Sequence, residues 1–210
     1  MHAALGDPTR LAIVDHLVLS DRTPSELGSL LDTPSNLIAH HLEALERVGL
    51  VGRSRSSGDA RRRYVHVLPS AFTWQLTSAG LAPQPALFIC THNSARSQLA
   101  AALWTAMTGH HAQSAGTHPA ESVHRLAHAA ARKVGLSLGN SRPQSLDSVA
   151  QLPALVVTVC DQVHEELDAQ PTWLHWSVPD PSKVGTRTAF DSTIDSLRWR
   201  ITSLLGSVAA

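Results

Sequence analysis

The chain has 210 residues, 43 % hydrophobic and 16 % charged, with no net charge at pH 7, an ordinary balance for one or two soluble globular domains. A zero balance excludes a global field that would gather nucleic acid or membrane, so any such attraction has to be local. Two cysteines without secretory spacing, no apolar run long enough to span a bilayer, and an N-terminus interrupted by Asp7, Arg10, Asp15 and Asp21 point to a cytoplasmic protein with no disulfide scaffold.

Three helix starts are written alike in the first fifty residues. Asp7-Pro8, Thr23-Pro24 and Thr33-Pro34 each set a capping side chain before a proline, and Thr23-x-x-Glu26 adds a capping box. These predict helices over about 7–19, 24–31 and 34–48, the last two joined by the tight turn of a helix-turn-helix. Ile38, Leu42 and Leu45 recur at helical spacing and should face the core. Ser35, Asn36, Ala39 and His40 then lie on the exposed part of that helix, where base edges would be read.

Residues 50–55 and 61–68 read as two strands around the turn Ser56-Ser-Gly-Asp59. Arg53, Arg55, Arg61, Arg62 and Arg63 stand against Asp59 alone, a local charge of +4 beside an otherwise acidic segment, as phosphate-backbone contact requires. Leu5-Gly-Asp-Pro-Thr-Arg-Leu-Ala-Ile13, Ser35-Asn-Leu-Ile-Ala-His-His-Leu42 and Glu46-Arg-Val-Gly-Leu-Val51 resemble the ArsR family of winged-helix repressors. The resemblance implies operator DNA as partner and a homodimer. Glu26-Leu-Gly-Ser-Leu-Leu31 lacks the cysteines with which some members sense metals, and the usual dimerising helix ahead of Leu5 is missing or clipped. The expected domains are 1–70 for this module, a linker over 71–84 with a short helix through Phe72, Trp74 and Leu76, and 85–210 for the second.

The second module alternates strand and helix signals over 85–90, 97–109, 112–116, 121–135, 144–150, 154–160, 172–177 and 187–205. That order predicts an α/β fold, a parallel sheet with helices on both faces and its ligand site beyond the carboxyl ends of the strands. Cys90-Thr-His-Asn-Ser-Ala-Arg96-Ser97 joins the first strand to its helix. Such a loop turns successive amide N–H groups and a helix N-terminus onto one point, an oxyanion site with a thiol at its base. The spacing alone is weak; the strand before, the serine and helix after, and Asp180-Pro181 downstream give it weight.

In this reading Thr91, His92, Asn93, Ser94, Ala95, Arg96 and Ser97 bind the oxyanion, with Arg96 as a two-pronged fork. Cys90 is the nucleophile; a free thiol with a pKa near 8.5 is only about 3 % ionised at pH 7, and amide dipoles with Arg⁺ favour the thiolate. Ser97 can donate its hydroxyl to the sulfur or merely cap the helix. Asn93 tolerates a positive φ and fixes the loop, and His92 has no proton-transfer role. Asp180 is the general acid, although Asp-Pro also opens turns.

Ser114-Ala-Gly-Thr117, Ser141-Arg-Pro-Gln-Ser-Leu146, Val156-Val-Thr-Val-Cys160 and His175-Trp-Ser-Val-Pro-Asp180-Pro181 complete the pattern. Together with the loop they resemble the low-molecular-weight protein tyrosine phosphatase superfamily and, within it, the arsenate reductases. The resemblance implies a four-stranded parallel sheet, arsenate or a phosphate-like oxyanion as ligand, no bound cofactor, and an external thiol as reductant (mycothiol with mycoredoxin, glutaredoxin or thioredoxin). Ser182 and Lys183 stand where phosphatases carry tyrosines, Ala95 removes a further loop cysteine, and His92-Asn93 is similar to actinobacterial reductases that use a small thiol. Thioredoxin-linked reductases pass a disulfide to a third cysteine seven positions past the second; here that position is Leu167. Cys160 could therefore form a disulfide with Cys90 that an outside thiol resolves, or remain inert while a small thiol takes the arsenate. His124 and His128 share a helix face without a third ligand, so no metal site is expected. The expected function is an arsenate reductase fused to an arsenic-responsive repressor. A catalytically silent oxyanion sensor and a tyrosine phosphatase are the alternatives.

Overall fold

The computed structural model describes residues 2–69, 80–167 and 172–206. The chain divides into two compact units, residues 1–81 with 202–210 and residues 82–201. The helix expected through Phe72, Trp74 and Leu76 lies outside the described residues.

The first unit opens with α1 (His2–Leu5), α2 (Pro8–Leu19), α3 (Pro24–Leu30) and α4 (Ser35–Arg47). α2 and α3 start at their prolines, Pro8 and Pro24, whereas α4 starts one residue after Pro34. Asp7 caps α2 by accepting from the Arg10 amide at 3.0 Å, and Thr23 with Glu26 forms the capping box of α3. At α4 the expected cap fails: Pro34 is the cap residue and gives no side-chain bond, because the Thr33 hydroxyl turns back to the Leu31 carbonyl. Ile38, Leu42 and Leu45 of α4 pack with Ile13, Val14 and Leu17 of α2 in a core that excludes solvent. β1 (Val51–Arg55) and β2 (Arg63–Val67) form the antiparallel hairpin. A third short partner that the sequence reading missed is Arg22, whose amide and carbonyl both bond Val65.

The second unit runs β3 (Ala86–Cys90), α5 (Arg96–Thr108), β4 (Ala112–Gly116), α6 (Arg125–Lys133), a 3-10 turn at Leu146–Ser148, β5 (Leu155–Thr158), α7 (Asp161–Glu166), β6 (Leu174–His175), α8 (Pro181–Val184) and α9 (Arg187–Leu204) up to residue 201. All strands are parallel in the order β4-β3-β5-β6. The direction of travel across the sheet reverses between β3 and β5. Right-handed crossovers then put α5 on the face opposite α7, and the reversal opens a crevice at the carboxyl ends of β3 and β5. Phe88 of β3 sits between Trp104 and Trp176, with ring centroids 6.0 and 5.9 Å away, anchoring sheet to helix.

Four expected ranges shift. The strand expected at 154–160 ends at Thr158, because Cys160 caps α7, a helix absent from the sequence reading. The strand expected at 172–177 shrinks to two residues as the chain bends towards Asp180 and the equally unforeseen α8. The helix expected from 121 starts at Arg125, since the stretch before it bonds the loop after β3. Only a 3-10 turn forms within 144–150.

Removing the capping box should weaken α3. Thr23→Ala is expected to cost about 1 kcal/mol, read as faster amide exchange across residues 24–31 in the full chain; unchanged exchange would show that tertiary packing alone holds this helix.

Candidate active site and nucleic-acid interface

Cys90 ends β3, and residues 91–95 turn into α5 with no side-chain cap on the helix. The turn is built from outside. The carbonyls of Thr91, His92 and Ser94 accept the amides of His118, Ala120 and His124 at 2.8, 3.0 and 2.8 Å. With its carbonyls so engaged, the loop keeps its donors: among the described residues no protein acceptor meets the amide N–H groups of residues 92–97. Unpaired amides on buried backbone are costly, and an anion is the partner they fit.

Asn93 holds the bend. It is fully buried at φ +47°, and its amide donates to Ser97 Oγ at 2.8 Å. Its Oδ1 accepts from Gln98 Nε2 at 3.1 Å and from the Gln144 amide at 3.0 Å. Ser97 Oγ in turn lies 3.0 Å from Cys90 Sγ. Gly116, at the end of β4, backs this turn so closely that a Cβ there would lie 2.6 Å from the Thr91 carbonyl oxygen and 3.0 Å from the Asn93 nitrogen.

Arg96 is 5 % exposed and reaches across to the segment before α8, donating to the Val178 carbonyl at 3.1 Å and to Asp180 Oδ2 at 2.9 Å. Two of its five N–H groups are thereby engaged, and the rest remain for a ligand. Burial opposes its charge, but Cys160, Cys90, Asp180 and Asp161 around it outweigh that and raise its pKa above the usual value. Asp180 also caps α8 through the Ser182 amide at 2.9 Å.

The second thiol enters the same place. Cys160 is 1 % exposed, a free thiol like Cys90, and its Sγ lies 3.2 Å from Thr91 Oγ1. So Cys90, Arg96, Ser97, Cys160 and Asp180 are gathered at the crevice. His92 is not: its side chain is exposed and bonds the His118 carbonyl from Nδ1 at 3.0 Å. His124, one of the paired histidines, caps α6 and stacks on Phe190 at 4.8 Å. Among the described residues no group of three potential ligands could hold a metal.

Sequence reasoning missed Gly116, Gln98, Gln144, the three amides from 118–124 and the Val178 carbonyl. All but Gln98, which follows the loop in α5, come from other elements, and no local spacing marks their roles.

In the first unit Ser35, Asn36, Ala39 and His40 are all exposed on α4 opposite its buried stripe, and Leu37, 47 % exposed, joins them. The hairpin arginines divide. Arg53 pairs with Glu46 at 2.8 Å and Arg61 with Asp59 at 3.0 Å, which offsets their charge. Arg55 and Arg63 face one another directly across the hairpin, both exposed. Like charges so placed repel, and a phosphate between them would relieve it. Arg62 is exposed beside them.

Residues 86–210 match the family model described as low molecular weight phosphotyrosine protein phosphatase, and residues 5–52 match one described as a helix-turn-helix domain. Among solved structures, an arsenate reductase from Archaeoglobus fulgidus is 29 % identical, over 58 % of this chain and 99 % of its own, with a TM-score of 0.49. A low molecular weight protein tyrosine phosphatase from T. tengcongensis is 22 % identical over 58 % of this chain and 97 % of its own, at 0.51. The tyrosine phosphatase Wzb from Escherichia coli K30, in complex with sulphate, is 22 % identical over 56 % and 93 %, at 0.51. The last two share the fold of the second unit. No curated protein matches the chain. No described helix is long and apolar enough to cross a membrane.

Gly116→Ala should push the Thr91–Asn93 turn out of place and weaken phosphate binding by about tenfold or more, measured by calorimetric titration. Wild-type affinity would mean that the backing of the loop does not shape the anion site.

Proposed function

This chain belongs to the low molecular weight phosphotyrosine protein phosphatase family, and from that premise we propose that it reduces arsenate with thiols while its helix-turn-helix module binds operator DNA. The observation that carries the reductase reading is the second buried thiol, Cys160 Sγ at 3.2 Å from the Thr91 hydroxyl of the anion loop and within reach of Arg96. A phosphatase needs one cysteine, and here the segment after Asp180 offers Ser182 and Lys183 instead of aromatic side chains for an aryl ester.

Arsenate sits with its oxygens on the 92–97 amides and on the N–H groups that Arg96 retains. Cys90 attacks arsenic as the thiolate, Ser97 donating to the sulfur, and Asp180 delivers the proton with which one oxygen leaves as water. A second thiol then attacks the Cys90 sulfur. The S–S bond forms, the S–As bond breaks with its electron pair going to arsenic, and arsenic(V) leaves as arsenite while two thiols are oxidised to one disulfide. In this reading Cys160 is that thiol, and an external reductant (thioredoxin, glutaredoxin or mycothiol with mycoredoxin) restores the pair. With Leu167 in place of a third cysteine the disulfide has no further internal acceptor.

The first module reads as an ArsR-type repressor acting as a homodimer in the cytoplasm. Ser35, Asn36, Ala39 and His40 meet base edges, and Arg53, Arg55, Arg61, Arg62 and Arg63 meet phosphates. The functional units are 1–70 and 85–210 around the 71–84 linker.

Purified protein should release arsenite from arsenate with one of these reductants, and Cys90→Ser should lower turnover by about a thousandfold or more. Retained turnover would contradict the nucleophile, and Asp180-dependent hydrolysis of an aryl phosphate without arsenite release would establish a phosphatase. Replacing Arg62 and Arg63 with alanine should lower the log–log salt slope of DNA binding by about two; an unchanged slope would mean that the hairpin does not touch phosphates.

A further inference from the structure

Beneath the crevice lies a cluster that the mechanism above does not use. His175 of β6 is fully buried. Its Nε2 lies 3.0 Å from Asp161 Oδ1, a pair with side chains 0 % and 4 % exposed. Its Nδ1 lies 2.9 Å from Thr158 Oγ1, and the His164 ring stacks on it at 4.1 Å with its own Nδ1 3.2 Å from the same hydroxyl. Thr158 stands two residues before Cys160 and Asp161 one after it. One imidazole thus grips both sides of the strand-to-helix turn that carries the second thiol.

An apolar side chain could fill this space without the desolvation that burying these polar groups entails, so mere packing does not account for it. Its location is also selective. The Cys90 loop is anchored from residues 116–144, through Gly116, His118, Ala120, His124 and Gln144. The Cys160 turn is anchored from residues 158–175, through Thr158, Asp161 and His175. The two thiols are therefore held largely by different sets of bonds, joined where the Val159 amide donates to the Ile89 carbonyl at 2.8 Å and where Cys160 meets Thr91.

We propose that His175 and Asp161 are positioning residues for Cys160, fixing its sulfur beside Thr91 and the Cys90 loop for the disulfide-forming step while leaving anion capture untouched. This rests on the thiol relay proposed above. The reaction it serves is complete without other reagents: Cys90 and Cys160 each give up a hydrogen, arsenate gains two electrons, and the products are one disulfide, arsenite and water.

The test uses the full chain as His175→Leu, His175→Gln and Asp161→Asn. Two readouts separate positioning from folding: protection of Cys90 against iodoacetamide by inorganic phosphate, and the rate of Cys90–Cys160 disulfide formation driven by arsenate without external thiol, both by mass spectrometry. Phosphate protection should stay within about twofold of wild type in all three, while disulfide formation falls about tenfold or more in His175→Leu and Asp161→Asn and partly recovers in His175→Gln, whose amide can still meet Asp161. A wild-type rate in His175→Leu would overturn this inference alone. Parallel loss of phosphate protection in His175→Leu and His175→Gln would overturn it too, by showing a role in the whole fold. A wild-type protein that phosphate protects but arsenate does not oxidise would defeat the relay, and the inference with it.

Discussion

The site depends on loop carbonyls being taken from behind. A strand-to-helix turn of five residues has as many acceptors as donors, and left alone it would pair them with water or with itself. Here the amides of His118, Ala120 and His124 take the acceptors, the left-handed Asn93 is pinned by Gln98 and Gln144, and Gly116 leaves room for the turn to lie flat against β4. What is left is a row of donors at the N-terminus of α5, above a buried sulfur. In the proposed reading, anion affinity is a property of backbone that the rest of the unit holds in place, and the sheet reversal between β3 and β5 supplies the opening.

A single guanidinium balances the charges of that opening. Arg96 is buried, which opposes its charge, yet it has two thiols and two carboxylates close by. Asp180 and Val178 hold it from the α8 side, so the guanidinium and the Asp180 carboxylate are in direct contact. Side chains held in this way need less ordering to engage a ligand. Cys160 and Asp161 extend the same arrangement towards β6.

Much of this was legible in the chain itself, for identifiable reasons. Prolines after capping residues locate helix starts at Asp7 and Thr23 because both effects are local, and the stripe Ile38, Leu42, Leu45 locates the core face of α4. That Cys90 and Arg96 bracket one strand-to-helix turn was legible because the turn is one contiguous segment. The supports of that loop were not, since Gly116, Gln144 and the 118–124 amides lie far along the chain, Gln144 51 residues from the Asn93 it bonds, and act mostly through backbone. The same holds for the grip on Cys160: Asp161 sits next to it, but nothing marks His175 as its partner. Where local signals misled, tertiary demands prevailed. Residues 121–124 were expected to be helical, yet the His124 amide bonds the loop at Ser94, and Thr33, a natural cap, bonds backwards instead. On the hairpin the arginine cluster is real, but Glu46 from α4 offsets Arg53, a contact between elements that a charge count over 53–63 omits.

The claim that everything else follows from is that the backbone amides of residues 92–97 hold the anion. A ¹⁵N–¹H correlation spectrum of the full chain, titrated with inorganic phosphate and then with arsenate, addresses those six groups one by one. The account predicts that their resonances move furthest and saturate together with the Arg96 side-chain signals. If they stay fixed while resonances elsewhere respond, the loop is not the oxyanion site.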